Sequence, residues 1–550
     1  MKSFLTTLLC LLITYHSACA QHPTGDIVGP VQLASHIYPG TVRNYWVYVP
    51  KQYVATSPAC LLVVQDGLNR ATGWRLPQIL DSLIAAHRIP VMIGVFVDPG
   101  TVSASRDDAF PRYNRSLEYD ALGDHYANFL VNELLPEIQK SYNIKQDPDS
   151  RCIAGASSGA ICAFNVAWER PDQFRRVLST IGTYVGLRGG EEFTTLVRKS
   201  EPKPIRVFLE DGSSDLNIYA GDWWTANQAM LSALTYGGYE VSHSWGSGGH
   251  DSKHAISIMG EAMEWLWRDY PAPIITHKGI KPRIDLLIDG EAWQEVKLEG
   301  RSVSQLAADK DGNLFFVDKG GLYRISNQHQ VEKINAVHID RVSAGPSELF
   351  GWIKASRKIV SIDKTGKMVT LANHCDVDYL YTATRGLYFS DGVKRQIGYY
   401  DFAHKSLRYF TTDFLPGAMA LSAEKTFLNV ASKDTPFGHS LKVNTDGSIQ
   451  DGQAYVHYHT NFGQTMPGIR GMDVDANNVL FSATDLGVQV SDQLGRVNFI
   501  FSKVTPRIDD VKLVADRLYI SGDSRLFVRK INDKGLLSFD GPATPPKPQL

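Results

Sequence analysis

Six short apolar segments recur through the second half of the chain, and their spacing allows few folds. They are Leu314-Phe315-Phe316-Val317-Asp318, Leu349-Phe350-Gly351-Trp352, Leu387-Tyr388-Phe389-Ser390-Asp391, Phe427-Leu428-Asn429-Val430, Leu480-Phe481-Ser482-Ala483-Thr484-Asp485 and Leu518-Tyr519-Ile520-Ser521-Gly522-Asp523. The interval is roughly 40 residues, the length of one four-stranded sheet in a propeller. Turn residues precede several segments, as in Asp309-Lys310-Asp311-Gly312-Asn313 and Asp475-Ala476-Asn477-Asn478. This pattern predicts a six-bladed β-propeller over residues 284–535. The proline-rich end, 536–550, is expected to be a disordered tail.

The first half alternates differently. Residues 34–49 read as two antiparallel strands around Pro39-Gly40. Continuous apolar runs at 59–64 and 91–97 read as strands buried on both faces. Further strands are expected at 152–154, 205–209 and 239–245, with helices at 77–87, 119–142, 224–236 and 254–270. Strands alternating with helices predict a parallel sheet covered on both faces, an α/β domain over 24–270. Pro271-Ala272-Pro273 opens a linker to about residue 283. A chain of 550 residues is too long for one core, which fits this division. The fold class is therefore α/β followed by all-β.

Formal net charge is −2, which argues against nucleic acid as a partner. Residues 1–20 read as a signal peptide: Lys2, an apolar run Phe4 to Ile13, then Ala18-Cys19-Ala20 before Gln21. No later run is long enough to span a bilayer. The expected location is secreted or periplasmic, with cleavage near Ala20. Lipidation at Cys19 is disfavoured because His16 stands where a lipobox wants leucine. Cys60, Cys152, Cys162 and Cys375 sit in apolar surroundings and read as buried thiols rather than a disulfide framework or a zinc site.

Gly155-Ala156-Ser157-Ser158-Gly159 fits the G-x-S-x-G turn that exposes a nucleophilic serine between a strand and a helix. Side chains two residues either side of Ser157 would collide there, hence the glycines. A base and an acid should follow, on loops after strand ends. Asp215 lies in the loop after 205–209, and His250 in Gly246-Ser247-Gly248-Gly249-His250 after 239–245. The order Ser157, Asp215, His250 is the serine, acid, histidine order of α/β-hydrolases. His243 and His254 compete with His250 but fall inside a strand and at a helix start. Asp211 and Asp222 compete with Asp215, and Asp251 reads as a helix cap. Oxyanion donors would be the backbone N–H groups of Ser158 and Leu68, the latter in Gln65-Asp66-Gly67-Leu68. Arg115 and Glu118 read as an ion pair near the site or as substrate contacts. Trp223 and Trp224 read as pocket walls or helix packing.

Residues 34–270 resemble the enterochelin-esterase-like branch of the α/β-hydrolases, which includes feruloyl and acetyl-xylan esterases and, more distantly, mycolyl transferases. The matching pieces are IYPGTVRNYWVYVP, VVQDGL, PRYNRSLEYD, IAGASSGA, EDGSSDLN followed by GDWWTANQAM, and GGHD. The resemblance implies serine ester hydrolysis with Ser157 as nucleophile and His250 as base. Its G-x-x-D pattern falls on Gly212 to Asp215. The D-G-L turn of the mycolyl transferases implies an oxyanion N–H on Leu68.

Residues 290–532 resemble the gluconolactonase/regucalcin propellers, which hold one divalent metal with Glu, Asn and Asp side chains. Glu299 matches one ligand, but Gly417 and Arg470 stand where the asparagine and aspartate are expected. A cation in place of a carboxylate opposes metal binding, so a metal-free binding or scaffolding propeller is expected and a relocated metal site is the alternative. The expected function is a serine esterase without cofactor. Its substrate would be a small-molecule or oligosaccharide ester: an acyl or aryl ester on a carbohydrate, or a siderophore-type ester. The alternatives are a glycan- or partner-binding protein with a vestigial hydrolase, and a metal-dependent lactonase in the propeller.

Overall fold

The computed structural model describes residues 24–277, 279–280, 284–298, 301–326, 328, 330–335 and 337–548. The expected signal peptide and Glu299 lie outside the described residues. The first domain is built on strands β1 (Asp26–Ser35), β2 (Thr41–Val49), β3 (Cys60–Gln65), β4 (Met92–Val97), β5 (Arg151–Ala156), β6 (Arg176–Thr180), β7 (Arg206–Gly212) and β8 (Glu240–Gly246). Their order across the sheet is β8-β7-β6-β5-β3-β4-β2, with β1 on β2. Neighbours from β8 to β4 run parallel, and β2 runs antiparallel to both β4 and β1. Every residue of β3, β4 and β5 is buried, including Gln65 and Arg151 at the ends of the apolar runs.

Helices cover both faces. One face packs Phe129, Ile161, Phe164, Trp168 and Tyr184 against Val63, Val95 and Ile153. The other packs Trp74, Leu80, Met259 and Leu266 against Leu62, Val64 and Phe96. The expected single helix 119–142 is instead divided. Arg115–Tyr119 (α1) is a short helix, a turn follows with Gly123 at φ +98°, and helix resumes over 125–139. Leu130–Leu134 widens by a π turn ahead of Pro136, which has no N–H to return to the preceding turn. The expected strands omit β6, whose Arg176 is wholly buried; its guanidinium donates to the carbonyls of Asp149 and Leu266.

The second half forms six four-stranded antiparallel sheets. Each of the six recurrent apolar segments is the second strand of its blade, where neighbours cover both faces. The sixth blade is closed by Gln294–Val296, which pairs with Arg525–Lys530 from the far end of the repeat. Glu192–Lys199 of the first domain rests on the outer strand Val497–Ser502. There the Glu201 N–H donates to the Ile500 carbonyl at 2.9 Å, and Arg529 meets Glu201 at 2.7 Å.

The tail is ordered over its described part, contrary to the expectation. Phe539 is buried in the cluster of Val317, Val342 and Ile362, and Leu537 packs beside it. The Ala543 N–H donates to the Ala423 carbonyl. A proline-rich composition does not by itself leave a segment loose when it carries aromatic and aliphatic anchors.

Candidate active site

β5 ends at Ala156, and helix α2 (Ser158–Glu169) begins two residues later. Ser157 joins them at φ 57°, ψ −123°, a conformation that side-chain-bearing residues rarely adopt and that surrounding packing must enforce. Both glycines of the motif have steric reasons. A Cβ on Gly155 would lie 2.0 Å from the Gly159 carbonyl oxygen; one on Gly159 would lie 3.0 Å from Gln65 Cβ and 3.2 Å from an Asp66 carboxylate oxygen.

Three loops at the C-terminal edge of the sheet bring the expected residues together. Ser157 Oγ lies 2.9 Å from His250 Nε2, and His250 Nδ1 lies 2.6 Å from Asp215 Oδ1. The His250 side chain is 23% exposed and that of Asp215 is 0% exposed. This row therefore runs from a half-open serine to a sealed carboxylate. Burial pushes the Asp215 carboxyl up, but the hydrogen bonds from His250 and the Leu216 N–H, with Asp211 beside it, outweigh that, and the group sits below the ordinary aspartate value. Of the competing residues, His254 is held 2.9 Å from Glu210, and His243 packs its ring on Trp245. Asp222 caps a helix by accepting from the Thr225 N–H at 2.9 Å.

Ser158 is the first residue of α2. Leu68 is the second residue of helix α3 (Gly67–Gly73), whose cap Asp66 and first residue Gly67 both stand at φ 64°. First-turn N–H groups have no acceptor inside their own helix and are available to an anion. The two helix starts are clamped side by side. Arg115 Nε and Nη2 donate to Asp66 Oδ1 and Oδ2 at 2.7 and 2.9 Å, and Nη2 reaches the Ala156 carbonyl at 3.5 Å. Arg115→Ala is expected to lower kcat roughly 10- to 100-fold by loosening this clamp, with KM less affected; steady-state kinetics on an aryl ester read the split.

Glu118 is a correction. It neither pairs with Arg115 nor lines a pocket. Its carboxylate is fully buried against Arg43, at 2.8 and 3.1 Å. The tryptophan pair also divides. Trp223 sets its ring edge-on to His250, with centroids 5.9 Å apart, and donates its indole N–H to Thr183 Oγ1 at 3.2 Å. Trp224 packs on Trp245 instead. Thr183 was not legible in the sequence: its hydroxyl lies 3.2 Å from Ser157 Oγ, reached from the loop after β6.

The propeller axis opens at one end into a cavity of about 810 Å³ that includes Gly417 and Arg470. Arg470 is paired with Asp485 at 2.6 Å, and Lys433 with Asp378 at 3.0 Å. Gly417 offers no side-chain ligand, and the Arg470 guanidinium brings positive charge where a cation would sit. These residues do not fit a divalent metal, and no group of three or more His, Cys, Asp or Glu side chains among the described residues is placed to hold one.

The family model Esterase matches residues 38–250, which contain the whole Ser157, Asp215, His250 row. Residues 38–250 are an esterase-family domain. Among curated proteins, the chain is 25% identical over 180 residues to the uncharacterized protein YbbA of Bacillus subtilis, covering 32% of this chain and 69% of YbbA. It is 27% identical over 241 residues to the iron(III) enterobactin esterase of Dickeya dadantii, covering 41% of this chain. The chain spans 51% of that relative and 52% of the Escherichia coli enterobactin esterase, about half the length of each. Among solved structures, a gluconolactonase from Xanthomonas campestris overlaps 45% of this chain and 92% of its own, at a TM-score of 0.40 and 14% identity. Among the described residues, no helix is long and apolar enough to cross a membrane.

Proposed function

We propose that the chain is an extracytoplasmic serine esterase acting through an acyl-enzyme, with Ser157, His250 and Asp215 as its catalytic residues. The observation that carries this reading is the unbroken hydrogen-bonded row from Ser157 Oγ to Asp215. In it, His250 Nε2 takes the Ser157 proton as Oγ attacks the ester carbonyl. The developing oxyanion is met by the Ser158 and Leu68 N–H groups. His250 then gives the proton to the departing alkoxide, which leaves as the alcohol. Water, deprotonated by His250, releases the acid and restores Ser157. Asp215 holds the imidazole in the tautomer with hydrogen on Nδ1 and balances the imidazolium charge.

The acyl or aryl part of the ester is the part we assign to the rim. Phe110, Tyr113 and Leu117 precede or lie on the helix that carries Arg115, and Leu216, Ile218 and Tyr219 follow Asp215 directly. All six are exposed, Phe110 and Tyr219 at 90% and 92%. Exposed aromatic and aliphatic side chains on the segments beside Arg115 and Asp215 suit an aryl or acyl ester, and the enterobactin esterase relatives agree with a small ester substrate. The alcohol would be a carbohydrate, with the propeller holding the glycan.

The test is labelling with a fluorophosphonate, followed by peptide mass spectrometry. An adduct on Ser157 and turnover of aryl acetates are expected. Folded protein that gains no adduct on Ser157 overturns the reading.

A further inference from the structure

The C-terminal end of β7 carries two carboxyls in succession, Glu210 and Asp211, and the turn after it carries a third, Asp215. The Asp215 N–H donates back to the Gly212 carbonyl at 3.0 Å, so four residues of chain fold Asp215 over Asp211. Asp211 is 0% exposed. Its Oδ1 accepts from the Gly212 N–H at 2.7 Å. Asp215 Oδ1 accepts from His250 Nδ1 and from the Leu216 N–H, each at 2.6 Å. One oxygen of each carboxyl is then accounted for. The two remaining oxygens, Asp211 Oδ2 and Asp215 Oδ2, are both buried and neither meets an N–H or hydroxyl donor.

The two carboxyls are neighbours across this turn, and each keeps one buried oxygen without a donor. A proton on one of them supplies the missing donor, because two adjacent carboxylates cannot both ionise in a sealed site. We propose that Asp211 is a positioning residue, a carboxylic acid that donates its O–H to Asp215 Oδ2 and thereby fixes the rotamer in which Asp215 meets His250.

The proton belongs on Asp211 for a local reason. Asp215 has His250 and a backbone N–H to balance its charge, whereas Asp211 has one backbone N–H. Burial, then the contact with Asp215, pushes Asp211 up to about 9. Glu210, on the opposite face of β7, is pushed up by burial to about 8 and faces His254 rather than the row. Of Asp211 and Asp215, the charge therefore sits on Asp215. The role differs from that of His250: Asp211 touches no reacting atom and acts through Asp215.

This inference rests on the esterase reading for its kinetic consequence but not for the proton itself. Two variants separate the possibilities. Asp211→Ala removes the donor and is expected to lower kcat on an aryl acetate roughly 10- to 100-fold with KM little changed. Asp211→Asn supplies an N–H in place of the O–H and is expected to stay within about three-fold of wild type, since a buried partner is again satisfied. Wild-type kcat in a folded Asp211→Ala variant overturns the proposal, as does Asp211→Asn equally impaired. Infrared difference spectra, wild type minus Asp211→Asn at neutral pH, are expected to show a protonated-carboxyl C=O band. Glu210→Gln should leave that difference in place. Absence of the band overturns the proposal whether or not the protein turns over esters. A protein that shows the band yet hydrolyses no ester refutes the esterase reading alone.

Discussion

His250→Ala is expected to lower kcat/KM for an aryl acetate by roughly 10⁴-fold or more, because removing the base disables the serine as completely as removing the serine itself. A free serine hydroxyl is a weak nucleophile, and only the imidazole 2.9 Å away can accept its proton as the bond to carbon forms. The loss should fall on kcat. The groups that hold the ester, the apolar rim and the helix-start N–H pair, do not depend on His250. Fluorophosphonate labelling of Ser157 should slow in parallel, since the probe demands the same activated oxygen. His254→Ala is the matched control. That ring lies against Glu210 and, at 3.4 Å, Ser244, away from Ser157. Its removal should leave kcat near wild type, measured on the same substrate. Equal losses in the two variants would mean that the row from Ser157 to Asp215 is not the reacting one.

The parts of this molecule that could be read from sequence are those where burial on two sides forces an unbroken apolar run. β3 and β4 are of that kind, and so are most second strands of the propeller blades, Phe427–Ser432 with its exposed Phe427 being the weakest. The outermost strand of a blade is not: Ser406–Thr411 faces solvent on one side and alternates without a clear apolar run. β6 escaped for another reason. Its apolar run is only Val177-Leu178, opened by Arg176, and only the fold supplies the two carbonyls and the Trp267 ring, 4.8 Å away, that make a buried guanidinium tolerable. The serine, acid and histidine were legible through a glycine pattern and through chain order. Their neighbours were not, because Thr183, Asp66 and Asp211 act through contacts made by chain segments far apart in sequence or by a turn whose geometry no spacing rule specifies. Arg115 and Glu118 illustrate the limit most plainly. Three residues apart at the start of a helix, they invite pairing with each other, yet each pairs across the fold with a residue 49 or 75 positions away.

Glu118→Ala is expected to destabilise the first domain by about 3–5 kcal/mol, the cost of leaving a buried charge without its partner. Both side chains of the Arg43–Glu118 pair are 0% exposed. The carboxylate meets Arg43 through two hydrogen bonds and also accepts from the Gly100 N–H at 3.0 Å. The Arg43 guanidinium lies 3.8 Å from the centroid of the Phe129 ring, so no water replaces the lost carboxylate from that side. The unfolding temperature should fall on the order of 10 °C for a domain of this size, read by calorimetry. The double replacement Arg43→Met with Glu118→Leu discriminates between an ion pair that stabilises and one that is merely expensive to break. Two apolar side chains would remove both desolvation penalties together, and the double variant should recover most of the lost stability. It should not recover all of it, because the Gly100 N–H would then be buried without an acceptor. A double variant as unstable as Glu118→Ala would mean that the pair holds the Gly100–Asn114 loop in place through its charges rather than its volume. The same measurement then bears on the site, since that loop leads into the helix from which Arg115 clamps Asp66 beside the nucleophile.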